Sequence, residues 1–155
     1  MRMEEELNIK RICVIDGQGG GIGSAIIKRL REVVVDTIEI LALGTNAIAT
    51  SQMLKAGANR GASGENSIVH TVKQVDIVIG PIGIILANAM MGEVTPQIAQ
   101  SVSSCSARKL LLPLSQENVE IIGVSSSPLP HMIEEMIDKN LKGVTKKQAL
   151  SNIKY

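Results

Sequence analysis

The sequence predicts an α/β fold: a three-layer domain on a mostly parallel sheet of about five strands, one of them antiparallel. Three observations lead there. Apolar runs of strand length alternate with helical patterns, the arrangement that gives a parallel sheet with right-handed crossovers. The first run, Ile12–Asp16, is almost continuously apolar, as in a strand covered on both faces. The first three runs each end at a glycine, which puts three glycine turns at one edge of the sheet, where open α/β sheets bind ligands.

Residues 1–10 form a polar lead-in, and Ile12–Asp16 is the first strand. Ile22–Glu32 is the first helix, with Ile22, Ile26, Ile27 and Leu30 on one stripe and Lys28, Arg29 and Arg31 outside it. Thr37–Leu43 is the second strand, ended by Gly44, and Ala47–Lys55 the second helix, with Gly57 at its C-cap. A second glycine-rich loop spans Ala56–Gly64, and Ser63 is placed to cap a third helix over Glu65–Gln74. Val75–Ile79 is the third strand, halted by Gly80-Pro81-Ile82-Gly83. An apolar helical stretch over Ile84–Met91 follows, then a helix from Thr95-Pro96 to Ser104 and a fourth strand over Lys109–Leu112. Ser115–Asn118 is too short for a parallel crossover, so Val119–Val124 is expected as an antiparallel fifth strand. The last long helix runs from Ser127-Pro128 to Asn140 with Met132, Ile133, Met136 and Ile137 inward. Residues 144–155 form a basic tail with one or two helical turns. With the third strand beside the first, the sheet order in these predicted strands is 2-1-3-4-5; the alternative is 3-2-1-4-5.

The 155 residues, without internal repeat or linker, fit one domain. There is no Phe or Trp, and Tyr155 is the single aromatic residue, so the core is aliphatic and no platform exists for stacking bases. A net charge of +1 argues against a duplex-binding surface. Nucleic acid is therefore not an expected partner. Cys13 and Cys105 lack metal-ligand spacing and are expected to be free thiols, as in a reducing cytoplasm. The longest apolar stretch, Ile82–Met91, is half the ~20 residues of a membrane span. A soluble, cytoplasmic protein is expected. If Ile84–Met91 is a helix that is apolar all round, it needs cover on several sides, and a second subunit is a plausible source. A homo-oligomer through this helix or the Met-bearing last helix is therefore expected.

The chemistry concentrates in Asp16-Gly17-Gln18-Gly19-Gly20-Gly21-Ile22-Gly23, where five glycines fall within seven positions between a strand and a helix. Such a loop brings backbone amides and the positive end of a helix to bear on an anion. A bulky residue at Gly20 is then expected to block binding while leaving the fold. No Lys precedes Ser24, so this is not a Walker A loop, and Ile22 breaks the pattern G-x-G-x-x-G. Asp16 at the base of the loop is expected to tie it down by accepting its amides; holding a metal with a nucleotide is the alternative. No residue is assigned as a protein metal ligand or as a catalytic group. At the end of the second strand, where NAD-binding domains place an acid for the ribose, the chain has Thr45 and Asn46 instead. These two are expected to hydrogen-bond a ribose. Arg60 and Ser63 lie in a loop ahead of a helix N-terminus and are candidates for a second phosphate, against the plain reading of a solvated loop, and Asn59 beside them is a further candidate cofactor-binding residue. Gly80, Pro81, Ile82 and Gly83 are expected to form the opposite wall.

The spacing Gly17-x3-Gly21-x-Gly23 resembles the glycine motif of short-chain dehydrogenases. That family's Tyr and Lys pair has no counterpart here, because the one tyrosine is at the chain end. Val14–Ala25 resembles the first nucleotide loop of the bacterial tubulin-like division GTPases, Glu39–Asn46 their second strand, and Ala56–Asn59, followed by a glycine and a helix, their loop near the terminal phosphate, all in the same order. The likeness stops after the third strand, and neither their next phosphate loop nor their second domain is present, so hydrolysis is not implied. Nearly the whole chain, with its GQGGGIG, GTNAIAT and GPIGIILANAMMGE segments, resembles a family of small bacterial proteins known as a domain of unknown function. That resemblance implies a Rossmann-like domain and no particular activity.

Together these observations predict a protein that binds a nucleotide or dinucleotide, with or without Mg, as a sensor or partner. The rivals are an NAD(P)-dependent oxidoreductase, a metal-assisted nucleotide hydrolase or transferase, and an oligomeric scaffold whose glycine loop holds nothing.

Overall fold

A computed structural model describes residues 8–114 and 117–153. The first seven residues of the lead-in, Ser115 and Gln116 of the expected turn, and Lys154 and Tyr155 of the tail lie outside the described residues. The sheet consists of β1 (Arg11–Asp16), β2 (Glu39–Gly44), β3 (Arg60–Ser63), β4 (Ile77–Pro81) and β5 (Arg108–Leu112). The helices are α1 (Gly21–Val33), α2 (Ala47–Lys55), α3 (Glu65–Thr71), α4 (Pro96–Ser104), α5 (Leu129–Asn140) and α6 (Lys146–Ser151). The order is β3-β2-β1-β4-β5 and every pairing is parallel. This is the order of a doubly wound Rossmann sheet, with its switch point between β1 and β4.

The alternation of the strands sorts their side chains onto two cores. Ile12, Val14, Ile40, Ala42, Ile77 and Ile79 pack on one face against Ile26, Ile27 and Leu30 of α1, Met53 of α2 and Met132, Ile133, Met136 and Ile137 of α5. Cys13, Ile15, Leu41, Leu43 and Val78 pack on the other against Ile68 of α3 and Ile98 and Val102 of α4. Removing a side chain such as Ile26 or Leu30 from water contributes about 1.5–3 kcal/mol each, which is why the α1 stripe holds that helix on the sheet. Cys13 is fully buried, and burial pushes its thiol up. No helix among the described residues is long and apolar enough to cross a membrane.

Four expectations are corrected. The predicted third strand is β4, shifted to Ile77–Pro81, so that Gly80 and Pro81 lie in the strand itself. Part of the second glycine loop is a strand, β3, paired with β2. Its residues Arg60–Ser63 are short and mostly exposed, so no apolar alternation marks it. Val119–Val124 is not a strand, and the sheet has no antiparallel member. Gly123 turns left-handed at φ 92° and leaves Ile122 91% exposed, so the chain bends away before reaching strand length. Ile84–Met91 is not a helix: a 3-10 turn over Ile82–Ile85 leads into a compact loop. There Asn88, Met90, Met91 and Gly92 all have left-handed φ. Ile84, Ala89 and Val94 are buried in the second core, so the apolar run reflects an inward-packed loop. The apolar helix from which a homo-oligomer was predicted is therefore absent.

Candidate functional site

The loop after β1 is closed by Asp16. This residue is 4% exposed; its Oδ1 accepts from Gly17 N–H (2.8 Å) and its Oδ2 from Gly23 N–H (2.7 Å). Asp16 thus serves as an anionic cap on the first turn of α1, supported by the helix dipole. Gly20 N–H bonds Gly17 C=O at 2.9 Å, and Gly20 itself adopts φ 73° as the residue entering α1. Three of the five glycines are required by packing. A Cβ at Gly17 would come 2.5 Å from Thr45 Oγ1, one at Gly20 2.8 Å from the Ala49 Cα, and one at Gly23 2.5 Å from Met53 Sδ.

Gly19 and Gly21 differ. A Cβ at either meets nothing within 4 Å, and neither has left-handed φ. Both are exposed, and their N–H groups make no hydrogen bond among the described residues. The fold gives no packing reason for glycine at these two positions. Ser24 Oγ, in the first turn of α1, is buried without a hydrogen-bond partner among the described residues.

The end of β2 carries Thr45 and Asn46 to the same edge. Thr45 N–H bonds Asp16 C=O at 3.0 Å, which locks the two loops together. Asn46 caps α2 through Oδ1 on Ala49 N–H (2.9 Å), and its Nδ2 donates to Gln18 C=O (2.9 Å). Thr50, buried beneath, accepts from Gly44 N–H at 3.1 Å and from Ser63 Oγ at 2.7 Å. Such bonds satisfy polar groups that burial would otherwise penalise.

A residue that sequence reading missed stands at the centre. Glu93 Oε1 accepts from Gln18 N–H (3.1 Å), Thr45 Oγ1 (2.8 Å) and Asn46 Nδ2 (2.5 Å). Nothing local marks this acid, since it follows a glycine at the end of an apolar stretch and only the folded loop carries it to β2. Thr45 and Asn46, expected to address a sugar directly, instead hold this carboxylate.

On the other side of the β1 loop lies a cleft of about 570 Å³, within the range of small-molecule sites. Gln18 and Ile22 form one wall, Pro81 and Gly83 the opposite one, and Met90 and Glu117 contribute from later loops. Glu117 Oε1 accepts Met90 N–H at 2.8 Å. Gly80 serves packing, because a Cβ there would lie 2.5 Å from Ile15 C=O. Ile82 is half-buried beside this wall. The structure therefore gathers residues 16–23, Thr45, Asn46, Pro81 and Gly83 at one edge of the sheet.

Asn59 and Arg60 are a correction. Asn59 Oδ1 accepts from Ile40 N–H (2.8 Å) and Arg31 Nη2 (2.6 Å), and Arg60 Nη2 pairs with Glu39 (2.5 Å). Arg60 begins β3 and Asn59 immediately precedes it, at the edge opposite the glycine loop, because β3 takes up the chain that was expected to form a phosphate loop.

The two carboxylates titrate in opposite directions. Burial raises Asp16 above the ordinary carboxylate range; the amides of Gly23, Gly17 and Ile22 offset part of this, and the charge of Glu93 adds to it. Burial also works to raise Glu93, but the bonds from Asn46, Thr45 and Gln18 outweigh it and hold Glu93 below its usual value. Glu93 thus contributes stability that is present above its unfolded pKa, about 4.3, and lost as pH falls through its folded value. Asp16 has the opposite sign: its contribution is present below about 3.9 and lost as pH rises through its folded value. Urea midpoints across acidic to neutral pH should therefore give a wild-type minus Glu93→Gln difference that rises with pH and levels off above about 4.3. The difference against Asp16→Asn should fall with pH. Parallel curves for the two variants would contradict this assignment.

Residues 11–145 match the family described as a domain of unknown function, DUF3842. The chain belongs to this family. The match takes in the whole glycine loop, Thr45 and Asn46, the β4 wall and Glu93, so the DUF3842 domain contains every part of the site just described. Among curated proteins, none matches the chain in sequence.

Proposed function

We propose that this DUF3842 protein binds a nucleotide or dinucleotide by its phosphate at the loop after β1 and acts as a sensor or partner. The observation that carries this reading is the pair Gly19 and Gly21. They are glycines without a packing reason, with amides that make no hydrogen bond among the described residues, beside a helix N-terminus and a cleft of ligand size. A backbone stripped of Cβ where nothing in the fold requires it is suited to close approach by a phosphate. The reading does not require a metal. Both oxygens of Asp16 already accept loop amides, and among the described residues no three His, Cys, Asp or Glu side chains gather as a metal site.

The test is thermal unfolding with NAD(H), NADP(H), ATP, ADP, GTP and GDP, with and without Mg. A ligand at about 100 times its Kd adds about 2.7 kcal/mol, or about 5–10 °C for a domain of this size. The Gly19→Ala/Gly21→Ala variant should fold with slightly greater stability, by about 0.4–1 kcal/mol per site, yet lose the ligand shift. No response of the wild type to any of these compounds would overturn the reading, as would an unchanged response of the double variant. A response confined to triphosphates with Mg would favour a hydrolase or transferase.

A further inference from the structure

The end of β2 lacks the acid that dinucleotide-binding sheets use for the ribose, yet the structure supplies one from elsewhere in the chain. Glu93 is brought there by the loop after β4, whose backbone is tied by Asn88 N–H to Val94 C=O (2.7 Å) and Val94 N–H to Ala89 C=O (3.1 Å). Three non-glycine residues of that loop, Asn88, Met90 and Met91, are held in left-handed conformations. A side chain rarely adopts such a conformation, and it persists where the surrounding structure imposes it, often at functional sites. Met90 presses on the β1 loop, since a Cβ at Gly17 would lie 2.6 Å from its Sδ. The loop thereby reaches the turns that follow β1 and β2, where Gln18, Thr45 and Asn46 hold Glu93.

The carboxylate is used asymmetrically. All three donors, Gln18 N–H, Thr45 Oγ1 and Asn46 Nδ2, converge on Oε1. Oε2 has no hydrogen bond among the described residues, and Glu93 is partly exposed. Three bonds to one oxygen fix the orientation of the group and leave the other as a positioned acceptor. An ionised carboxylate only accepts, so Oε2 suits a hydrogen-bond donor, which on a nucleotide's sugar is a hydroxyl, and a phosphate there is repelled.

We propose that Glu93 is the sugar-recognising residue of this site, and that the ligand is a ribonucleotide with a free 2′-hydroxyl, discriminated from its 2′-phosphorylated and 2′-deoxy counterparts. The inference rests on the reading that the β1 loop binds a nucleotide phosphate. Thr45 and Asn46 are then positioning residues that orient the acid.

Dissociation constants for wild type and Glu93→Gln test it. The probes are inorganic pyrophosphate, ADP and GDP with their 2′-deoxy forms, adenosine 2′,5′-bisphosphate, NAD and NADP. Wild type should prefer the ribo ligand over its 2′-deoxy or 2′-phosphorylated counterpart by about tenfold or more, the usual size of a lost bond to a charged group. Glu93→Gln should bring the deoxy ratio towards one and improve the relative affinity of the 2′-phosphorylated ligands. Pyrophosphate and nucleotides binding to wild type without ribose discrimination would overturn the role of Glu93 and leave the phosphate reading standing. Discrimination retained in Glu93→Gln would do the same. Absence of binding by every probe would overturn both. The wild-type ratios decide the matter even if the variant folds poorly.

Discussion

Gly20→Val is expected to remove about 2–6 kcal/mol of folding stability, combining left-handed strain of about 1–3 kcal/mol with overpacking of about 1–3 kcal/mol. The residue holds φ 73°, which a β-branched side chain tolerates poorly. Its Cβ would also lie 2.8 Å from the Ala49 Cα and 2.9 Å from the Ala49 carbonyl oxygen. These are backbone atoms of α2, so no side chain can rotate away to make room. Native domains are stable by only about 5–15 kcal/mol, and the loss is therefore visible as a lower urea midpoint and a lower Tm. The sequence alone suggests that a bulky residue here blocks a ligand and spares the fold; the contact with α2 reverses that expectation. Gly19→Ala, with open space around its Cβ, serves as the control. A Gly20→Val protein as stable as Gly19→Ala would show that the α1–α2 contact does not constrain the loop.

Asp16→Ala is expected to cost about 2–4 kcal/mol, because it leaves two buried donors, Gly17 N–H and Gly23 N–H, without an acceptor at about 1–3 kcal/mol each. Relief of carboxylate burial offsets a part. Asp16→Asn keeps one acceptor and turns an amide NH2 towards the other N–H, so about half of the loss should remain. The ordering wild type, Asn, Ala is read from chemical denaturation near neutral pH. Loss of less than about 1 kcal/mol in Asp16→Ala would mean that Glu93 and the Thr45–Asp16 backbone bond hold the loop without it. The two substitutions act on one loop, so their effects should not add.

Much of the fold is legible in the sequence because it rests on local periodicity. The continuous apolar run of β1 signals a strand covered on both faces, and the stripe of Ile26, Ile27 and Leu30 signals a helix lying on it. Thr95, placed before Pro96 at a helix start, accepts the capping bond from Ile98 N–H, and Gly57 turns left-handed after α2 as a C-cap glycine does. The elements that escaped are those whose state is decided by neighbours. Arg60–Ser63 is a strand only because β2 offers it a ladder, and Val119–Val124 has strand composition without a ladder to join. Ile84–Met91 is apolar because it is packed inward, a property that a buried loop shares with a buried helix.

The site divides in the same way. The sequence by itself determined a glycine loop between a strand and a helix, an acid at its base, and glycine turns at the same edge, since all of these follow from residues adjacent in the chain. Tertiary structure alone decided which glycines serve packing and which stand free, because that depends on whether Thr45, Ala49 or Met53 occupies the space above them. It also removed Asn59 and Arg60 to the opposite edge and brought Glu93 to Thr45 and Asn46 across a sequence separation of 48 and 47 residues. A hydrogen bond depends on distance in space, and the apparent lack of an acid at the end of β2 was a property of the chain order only.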